Sequence, residues 1–166
     1  MNMIEELTAK LEQAGLQFTQ KPILIGGQAM EYYGTRKSGE DIDLVICEED
    51  YLALAAQHPD NRKDLYGDLG VILWPFEIWR SIALLDYDFY KVRAIEYDAF
   101  YVIALDRLLL TRVVARDKDK YNKDLDLLLE YYYEQFRNRD YLANAETHVA
   151  SYNKNEGTVI GGNYED

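Results

Sequence analysis

The chain has 166 residues, of which 48% are hydrophobic, and it carries a formal net charge of −12 at pH 7. This length and hydrophobic content predict one folded domain and exclude a disordered chain, while the acidic excess argues against broad nucleic-acid binding because it repels polyanions. The single cysteine excludes an internal disulfide. Neither a charged-then-apolar leader nor a run of about 18 apolar residues is found, so we expect a cytoplasmic protein that does not enter a membrane.

The first elements are predicted from the spacing of apolar residues. Residues 3–15 carry apolar side chains at helical spacing and end in a glycine, which predicts a short amphipathic helix. Residues 22–25 form a continuous apolar run of the buried-strand kind, and Gly26 and Gly27 then allow a sharp turn and a close approach to a ligand. A helix can begin in residues 28–33, and its exposed backbone amides would attract an anion such as phosphate.

A pair of aspartates marks the next predicted strand. Asp41 and Asp43 alternate with apolar residues, so both carboxylates leave the same face of the strand, with their Cα atoms roughly 6.6 Å apart. Two carboxylates at this separation repel each other and raise each other's pKa unless a cation neutralises them. Carboxylate oxygens are the ligands that hard divalent ions prefer. The pair therefore predicts a metal-binding site, with Mg²⁺ as the expected ion, beside the turn that would hold the anion.

A third acidic residue lies in a later apolar segment. After a predicted helix over residues 48–57 and a loop over 58–61, residues 69–79 form an apolar strand interrupted by Pro75, which indicates an edge, a bulge or a strand end. Glu77 is isolated in this segment, and such a charge is costly unless it is paired or bound to a cation. The alternative is that Glu77 faces water from an edge strand. Three other carboxylates compete for a metal-binding role: Asp68, Asp86 and Asp88.

The second half of the chain is predicted to be mainly helical. Residues 90–96 and 100–103 alternate weakly and predict a hairpin that extends the sheet. Apolar spacing then predicts a helix from Leu105, a second helix around Leu125, and a last helix over residues 138–153. We therefore predict a single α/β (α+β) domain over residues 1–153, with a small mixed sheet and a helical C-terminal half. Residues 154–166 are predicted to be a flexible tail.

A short cation-rich segment joins the first two of these helices. Within twelve residues it contains five cations: Arg112, Arg116, Lys118, Lys120 and Lys123. One interpretation is a solvated helix face whose cations are balanced by neighbouring aspartates, among them Asp124. The other is that one or two of these cations contact a triphosphate.

The motifs resemble those of a known superfamily. Gly26-Gly27, a short helix and Asp41-Ile42-Asp43-Leu44, in this order, resemble the signature of the nucleotidyltransferase superfamily (DNA polymerase beta-like). Within it, Arg36 and Ser38 are similar to the Arg-x-Ser/Thr of small bacterial abortive-infection type nucleotidyltransferases. Lys120 and Asp124-Leu125 resemble the Lys-x-x-x-Asp-Leu of that group. Where those proteins commonly have a lysine in the preceding helix, this chain has Arg112, which keeps the charge but changes its geometry.

The resemblance implies a fold, an activity and a set of site residues. It implies the nucleotidyltransferase fold and the transfer of a nucleoside monophosphate from a nucleoside triphosphate to an acceptor hydroxyl, with Mg²⁺ as cofactor. Asp41, Asp43 and Glu77 would be the catalytic, metal-binding carboxylates. Five residues would contact the nucleoside triphosphate: Gly26, Gly27, Arg36, Ser38 and Lys120.

The acceptor and the catalytic competence are the open points. The acidic composition favours a small molecule or a protein as acceptor over transfer RNA. One alternative is a non-catalytic protein of the same fold that acts as a partner in a toxin-antitoxin or phage-defence system. Another is that the acidic face is only a cation-binding or structural surface of an interaction protein.

Overall fold

The structure is a computed structural model that describes residues 1–115, 117–137, 149–150 and 154. The chain divides into two compact units, Met1–Leu128 and Leu129–Asp166, and the sheet lies in the first. The predicted single domain over residues 1–153 stays a prediction. The predicted helix over 138–153 and the predicted tail over 154–166 lie outside the described residues, apart from 149–150 and 154.

The described chain contains both helices and short strands. The helices are α1 (Met3–Gln13), α2 (Gly26–Tyr32), α3 (Glu48–Gln57), α4 (Tyr87–Lys91), α5 (Leu105–Val114) and α6 (Asp119–Arg137). The strands are β1 (Ile23–Leu24), β2 (Ile42–Val45), β3 (Arg62–Leu65), β4 (Asp68–Leu73), β5 (Phe76–Trp79), β6 (Ser81–Ile82), β7 (Leu85–Asp86), β8 (Ile95–Glu96) and β9 (Tyr101–Val102). Strands β3 to β7 follow one another without an α-helix between them. In the part of the chain that the structure describes, no helix is both long and apolar enough to cross a membrane.

Seven of the strands form one mixed sheet, which confirms the predicted fold class. Their order is β3-β4-β5-β2-β1-β9-β8, and β6 pairs with β7 separately. Strand β2 is antiparallel to β1 and parallel to β5, and β1 is parallel to β9. In the parallel pair β2–β5, Asp43 lies directly beside Glu77. The central position of β2 therefore brings the acidic residues of two strands next to each other.

The core consists of two clusters of buried residues. The first packs α1 and α3 against the sheet and includes Leu7, Leu11, Ile42, Leu44, Tyr51, Leu54 and Ile78. The second includes Ile23, Ile25, Met30, Val45, Tyr90, Ile103, Leu108 and Leu128. Because side chains alternate along a strand, Asp43 points to the same face as Val45, on the side of the second cluster.

Several predicted elements are confirmed by their local chemistry. Helix α1 begins with a capping box in which Asn2 and Glu5 bond each other's backbone amides, and Gly15 follows its last turn with φ +67°. Strand β4 ends before Pro75, which lies in the turn to β5, so the strand-end reading of Pro75 is confirmed. Helix α2 begins at Gly26, two residues earlier than predicted.

The predicted hairpin over residues 90–96 and 100–103 is partly wrong. Residues 87–91 form helix α4, because the Asp86 side chain accepts a hydrogen bond from the Phe89 amide and caps the first turn. Only β8 and β9 form the hairpin. Strand β3 was not predicted, because all four of its residues are exposed and show no apolar alternation.

Candidate functional site

Three carboxylates from two neighbouring strands converge on one point. Asp41 directly precedes β2, Asp43 lies within it, and Glu77 lies in β5. One oxygen of each can be chosen so that all three lie within 4.8 Å of one another. The structure thus brings together the three predicted metal ligands. We call Asp41, Asp43 and Glu77 the acidic triad.

Two of the three competing carboxylates are engaged elsewhere. Asp68 accepts hydrogen bonds from the Ser81 hydroxyl and from the amides of Ala83 and Leu84. Asp86 caps α4, and Asp88 is exposed in the first turn of that helix. None of these carboxylates belongs to the acidic triad.

Glycines make room for two carboxylates of the triad. A Cβ atom added to Gly26 would lie 2.3 Å from Asp43 Oδ2, and Gly26 has φ +66°, which side chains disfavour. A Cβ atom on Gly39 would lie 3.0 Å from Asp41 Oδ1. The sequence predicted Gly26 to form a sharp turn and to approach a ligand closely, and it did not indicate Gly39. The close approach of Gly26 to Asp43 is a second reason for a glycine there.

The loop before β2 is also held from α2. The Gln28 amide nitrogen lies 3.2 Å from the Gly39 carbonyl oxygen and 3.5 Å from that of Asp41, and donates to both. Gln28 was not predicted as a site residue, because nothing in its spacing indicates which backbone oxygens it reaches. Its hydrogen bonds attach the loop that carries Asp41 to the first turn of α2.

The electrostatics of the triad favour a bound cation. Burial, followed by the charge and the hydrogen bond of neighbouring Glu77, raises the pKa of Asp43 to about 7, and Asp41 adds to the effect. All the atoms that could bind a metal here are carboxylate oxygens, which are the ligands that hard divalent ions prefer. Mg²⁺ binds oxygen at about 2.1 Å, so opposite ligands of one ion lie about 4.2 Å apart. The three carboxylate oxygens lie close enough together to hold one metal ion.

A cluster of two arginines and one aspartate, built from three elements, lies close to the triad, since Gly26 adjoins Asp43 and the next residue, Gly27, adjoins Arg36. Arg36, in the loop after α2, donates from Nε to Asp124 Oδ1 at 2.6 Å and from Nη2 to Asp124 Oδ2 at 2.9 Å. Arg112 of α5 places its Nε 3.1 Å from Asp124 Oδ2. Asp124 of α6 is 3% exposed. Its hydrogen bonds raise the pKa of Arg36, and Asp41 adds a smaller attraction.

Arg112 is a buried cation with an unused donor. The residue is 8% exposed, and its guanidinium carbon lies 4.9 Å from the centre of the Tyr121 ring. Despite the short distance to Asp124, the Nε–H of Arg112 has no hydrogen-bond partner among the described residues. Burial lowers the pKa of Arg112, while Asp124 and, more weakly, Tyr121 and Asp43 oppose that change by attraction. The Nε–H of Arg112 is therefore a buried donor held against Asp124, and the charge of the guanidinium can attract an anion placed near the triad.

The other residues predicted to contact triphosphate occupy different surroundings. Gly27 lies next to Arg36, since an added Cβ atom would be 3.5 Å from Arg36 Nη1. The amide and hydroxyl of Ser38 both donate to the Glu31 carboxylate, which lowers the pKa of Glu31. Lys120 lies in the first turn of α6, with its Nζ 5.0 Å from the centre of the Tyr121 ring.

The solvated-face interpretation of the cation-rich segment is wrong for Arg112 and for the neighbouring Asp124. Both residues are buried, and Asp124 pairs with Arg112 and also with Arg36. The sequence showed both charges, but not that a loop 88 residues before Asp124 would bring it a second arginine. Arg116 lies outside the described residues.

Comparison with protein-family models and with curated proteins found no match to the chain. The geometry alone therefore defines the class of protein. It is a mixed α/β protein in which a triad of carboxylates suited to a divalent cation adjoins a cluster of two arginines and one aspartate.

Proposed function

We propose that this protein is a metal-dependent nucleotidyltransferase that moves a nucleoside monophosphate from a nucleoside triphosphate to an acceptor hydroxyl. The observation that carries the proposal is the convergence of Asp41, Asp43 and Glu77 within 4.8 Å. The partly unpaired Arg112 next to this triad supports it, because a metal-bound polyphosphate needs a cation site and a cationic donor side by side.

Each residue has a defined part in the proposed reaction. The acidic triad would hold Mg²⁺, which when bound neutralises the carboxylates and stabilises negative charge on phosphate oxygens. Arg112 would attract the triphosphate through its charge, and Lys120 would supply a second cation. Gly26 and Gly27 leave the backbone open to a close ligand. Arg36 keeps N–H groups beyond those that bind Asp124, and they remain candidates for a phosphate contact.

The proposed acceptor is a small molecule or a protein hydroxyl. The chain has a net charge of −12, and its cation-rich segment near the site also contains Asp117, Asp119 and Asp126. A polynucleotide acceptor would need several phosphate contacts from such a segment. An acidic surface instead attracts a cationic small molecule or a basic protein segment.

One observation favours the non-catalytic alternative. The hydroxyl and amide of Ser38, a residue predicted to contact the triphosphate, already donate to Glu31. A protein with this site could bind a partner in a toxin-antitoxin or phage-defence pair without turnover. The two functions differ in one measurable product, pyrophosphate.

The first experiment measures binding and then transfer. A thermal melt with Mg²⁺ and each nucleoside triphosphate should show stabilisation of about 2.7 kcal/mol at a hundredfold excess over Kd, or about 5–10 °C at this chain length. Incubation with labelled triphosphates and fractionated cell lysate should then release pyrophosphate and label the small-molecule or protein fraction.

Two variants test whether transfer depends on the triad itself or only on the acidic charge of the protein. Asp43→Asn should abolish transfer, whereas Asp88→Asn, which changes an exposed aspartate outside the triad, should leave it intact. Binding without pyrophosphate release would support the non-catalytic function. Label confined to RNA would refute the proposed acceptor, and no stabilisation with any triphosphate would refute the proposed activity.

A further inference from the structure

Asp124 holds two guanidinium groups that come from different parts of the chain. Its two oxygens accept both hydrogen bonds of a bidentate pair from Arg36, and one of them also lies 3.1 Å from Nε of Arg112. Among the described residues, Asp124 is one of two buried aspartates. The cluster therefore retains one excess positive charge in a buried place.

Two electrostatic interactions act on these arginines in addition to their pairing with Asp124. The guanidinium groups repel each other, and this repulsion contributes to the lowered pKa of Arg112. In addition, Arg36 is attracted by Asp41, and Arg112 is attracted by Asp43. Both attractions point toward the acidic triad. Without Asp124, Arg36 would keep its hydrogen bond to the Lys37 carbonyl oxygen and Arg112 its contact with the Tyr121 ring. The carboxylates left to attract the two guanidinium groups would be those of the triad.

An arginine that reached the triad would compete with a metal ion. A guanidinium forms bidentate hydrogen bonds with a carboxylate and needs no metal to neutralise it. Half-buried carboxylates bind such a partner strongly, because the surrounding dielectric is low. A metal ion would then have to displace the arginine before it could bind.

We infer that Asp124 is a positioning residue that keeps Arg36 and Arg112 away from Asp41, Asp43 and Glu77, so that the cation site stays open while both arginines remain beside it. The inference rests on the proposed function for the identity of the triad as a cation site. It assigns to Asp124 neither metal binding nor proton transfer. Its effect on a ligand is exerted only through the two arginines.

The test measures Mn²⁺ binding to the full chain in the absence of nucleotide. Electron paramagnetic resonance detects binding as a loss of the signal from free Mn²⁺. At about pH 8, above the pKa of about 7 at Asp43, proton competition is small. Asp124→Asn keeps the shape of the side chain and should raise the Kd for Mn²⁺ by about tenfold or more. The triple variant Asp124→Asn, Arg36→Gln, Arg112→Gln should return the Kd close to the wild-type value, because the competing cations are gone.

A matched control distinguishes positioning from general destabilisation. Asp50 is the other buried aspartate and accepts hydrogen bonds from Thr19 and Gln20, away from the triad. Asp50→Asn should lower the unfolding free energy without changing the Kd for Mn²⁺. If Asp124→Asn alone does not fold, Asp124→Asn with Arg36→Gln replaces it, and adding Arg112→Gln must then improve Mn²⁺ binding.

The outcomes separate this inference from the proposed function. An unchanged Kd in Asp124→Asn, or a triple variant that binds Mn²⁺ as weakly as the single variant, would overturn the inference. A wild-type chain that binds no Mn²⁺ would overturn it together with the cation site. A wild-type chain that binds Mn²⁺ and shows the rescue, but transfers no nucleotide, would refute the activity and leave the role of Asp124 standing.

Discussion

Replacing Asp43 with asparagine should stabilise the metal-free protein at alkaline pH and have little effect in acid. Asp43 is half-buried next to Glu77, and these surroundings raise its pKa from an ordinary value of 3.8 to about 7. The folded protein therefore binds a proton at Asp43 more tightly than the unfolded chain does. This contribution to stability is complete below pH 3.8 and is lost as the pH rises through 7. Asparagine has no charge to bury and lacks this dependence.

The size of the effect follows from the pKa difference. At about 1.4 kcal/mol for each pKa unit, the change from 3.8 to about 7 corresponds to about 4 kcal/mol. This value is an upper limit, because the surroundings of a buried carboxylate relax around its charge. This free-energy change is larger than the roughly 1 kcal/mol expected for an interaction between two charges exposed to solvent.

Urea unfolding across pH, with a chelator present, measures the difference directly. The gap in unfolding free energy between Asp43→Asn and the wild type should be small near pH 4 and should widen up to about pH 8. Excess Mg²⁺ should reverse the sign of this free-energy gap at alkaline pH. Only the wild type keeps all three carboxylates of the triad, so the bound ion should stabilise the wild type more than Asp43→Asn. A gap that is constant across this range would refute the assigned surroundings of Asp43.

Three further substitutions, one of them with a matched control, test the site and the fold. Gly26→Ala should lower Mn²⁺ affinity by about tenfold, since the new Cβ would meet Asp43, whereas Gly15→Ala, at a similar positive φ in open space, should cost only about 1 kcal/mol of stability. Glu77→Gln should lower the pKa of Asp43, read from the pH dependence of unfolding, and weaken Mn²⁺ binding in a titration. Ile78→Ala, at a fully buried position, should cost about 2–5 kcal/mol in urea unfolding and leave Mn²⁺ binding unchanged.

The residues of the acidic triad could be predicted because local sequence patterns mark each of them. Alternation placed Asp41 and Asp43 on one face, and the isolation of Glu77 in an apolar run marked it as a charge in need of a partner. The parallel pairing of β2 with β5 was not readable from either segment. It is this pairing that sets Glu77 beside Asp43.

The arginine cluster and α4 were not predictable for two different reasons. The pairing of Arg36 with Asp124 depends on where α6 packs, and no local pattern encodes a contact across 88 residues. In residues 87–91, tyrosine and phenylalanine favour a strand, but the cap supplied by Asp86 stabilises a helix. The closeness of Gly39 to Asp41 likewise depends on loop geometry that spacing alone does not determine.

The wide sequence separation between Arg36 and Asp124 has a consequence for the order of folding. Strands β2 and β5 can pair once the chain has collapsed as far as residue 79, whereas the buried ion pair waits for a segment 88 residues beyond Arg36. Contacts between distant segments form late, because the loops they close are entropically costly. The three carboxylates of the triad therefore meet before Arg112 of α5 and Asp124 of α6 arrive. Protons or divalent ions that relieve this repulsion should speed sheet formation, and the docking of α6 on Arg36 should be the slower, later step.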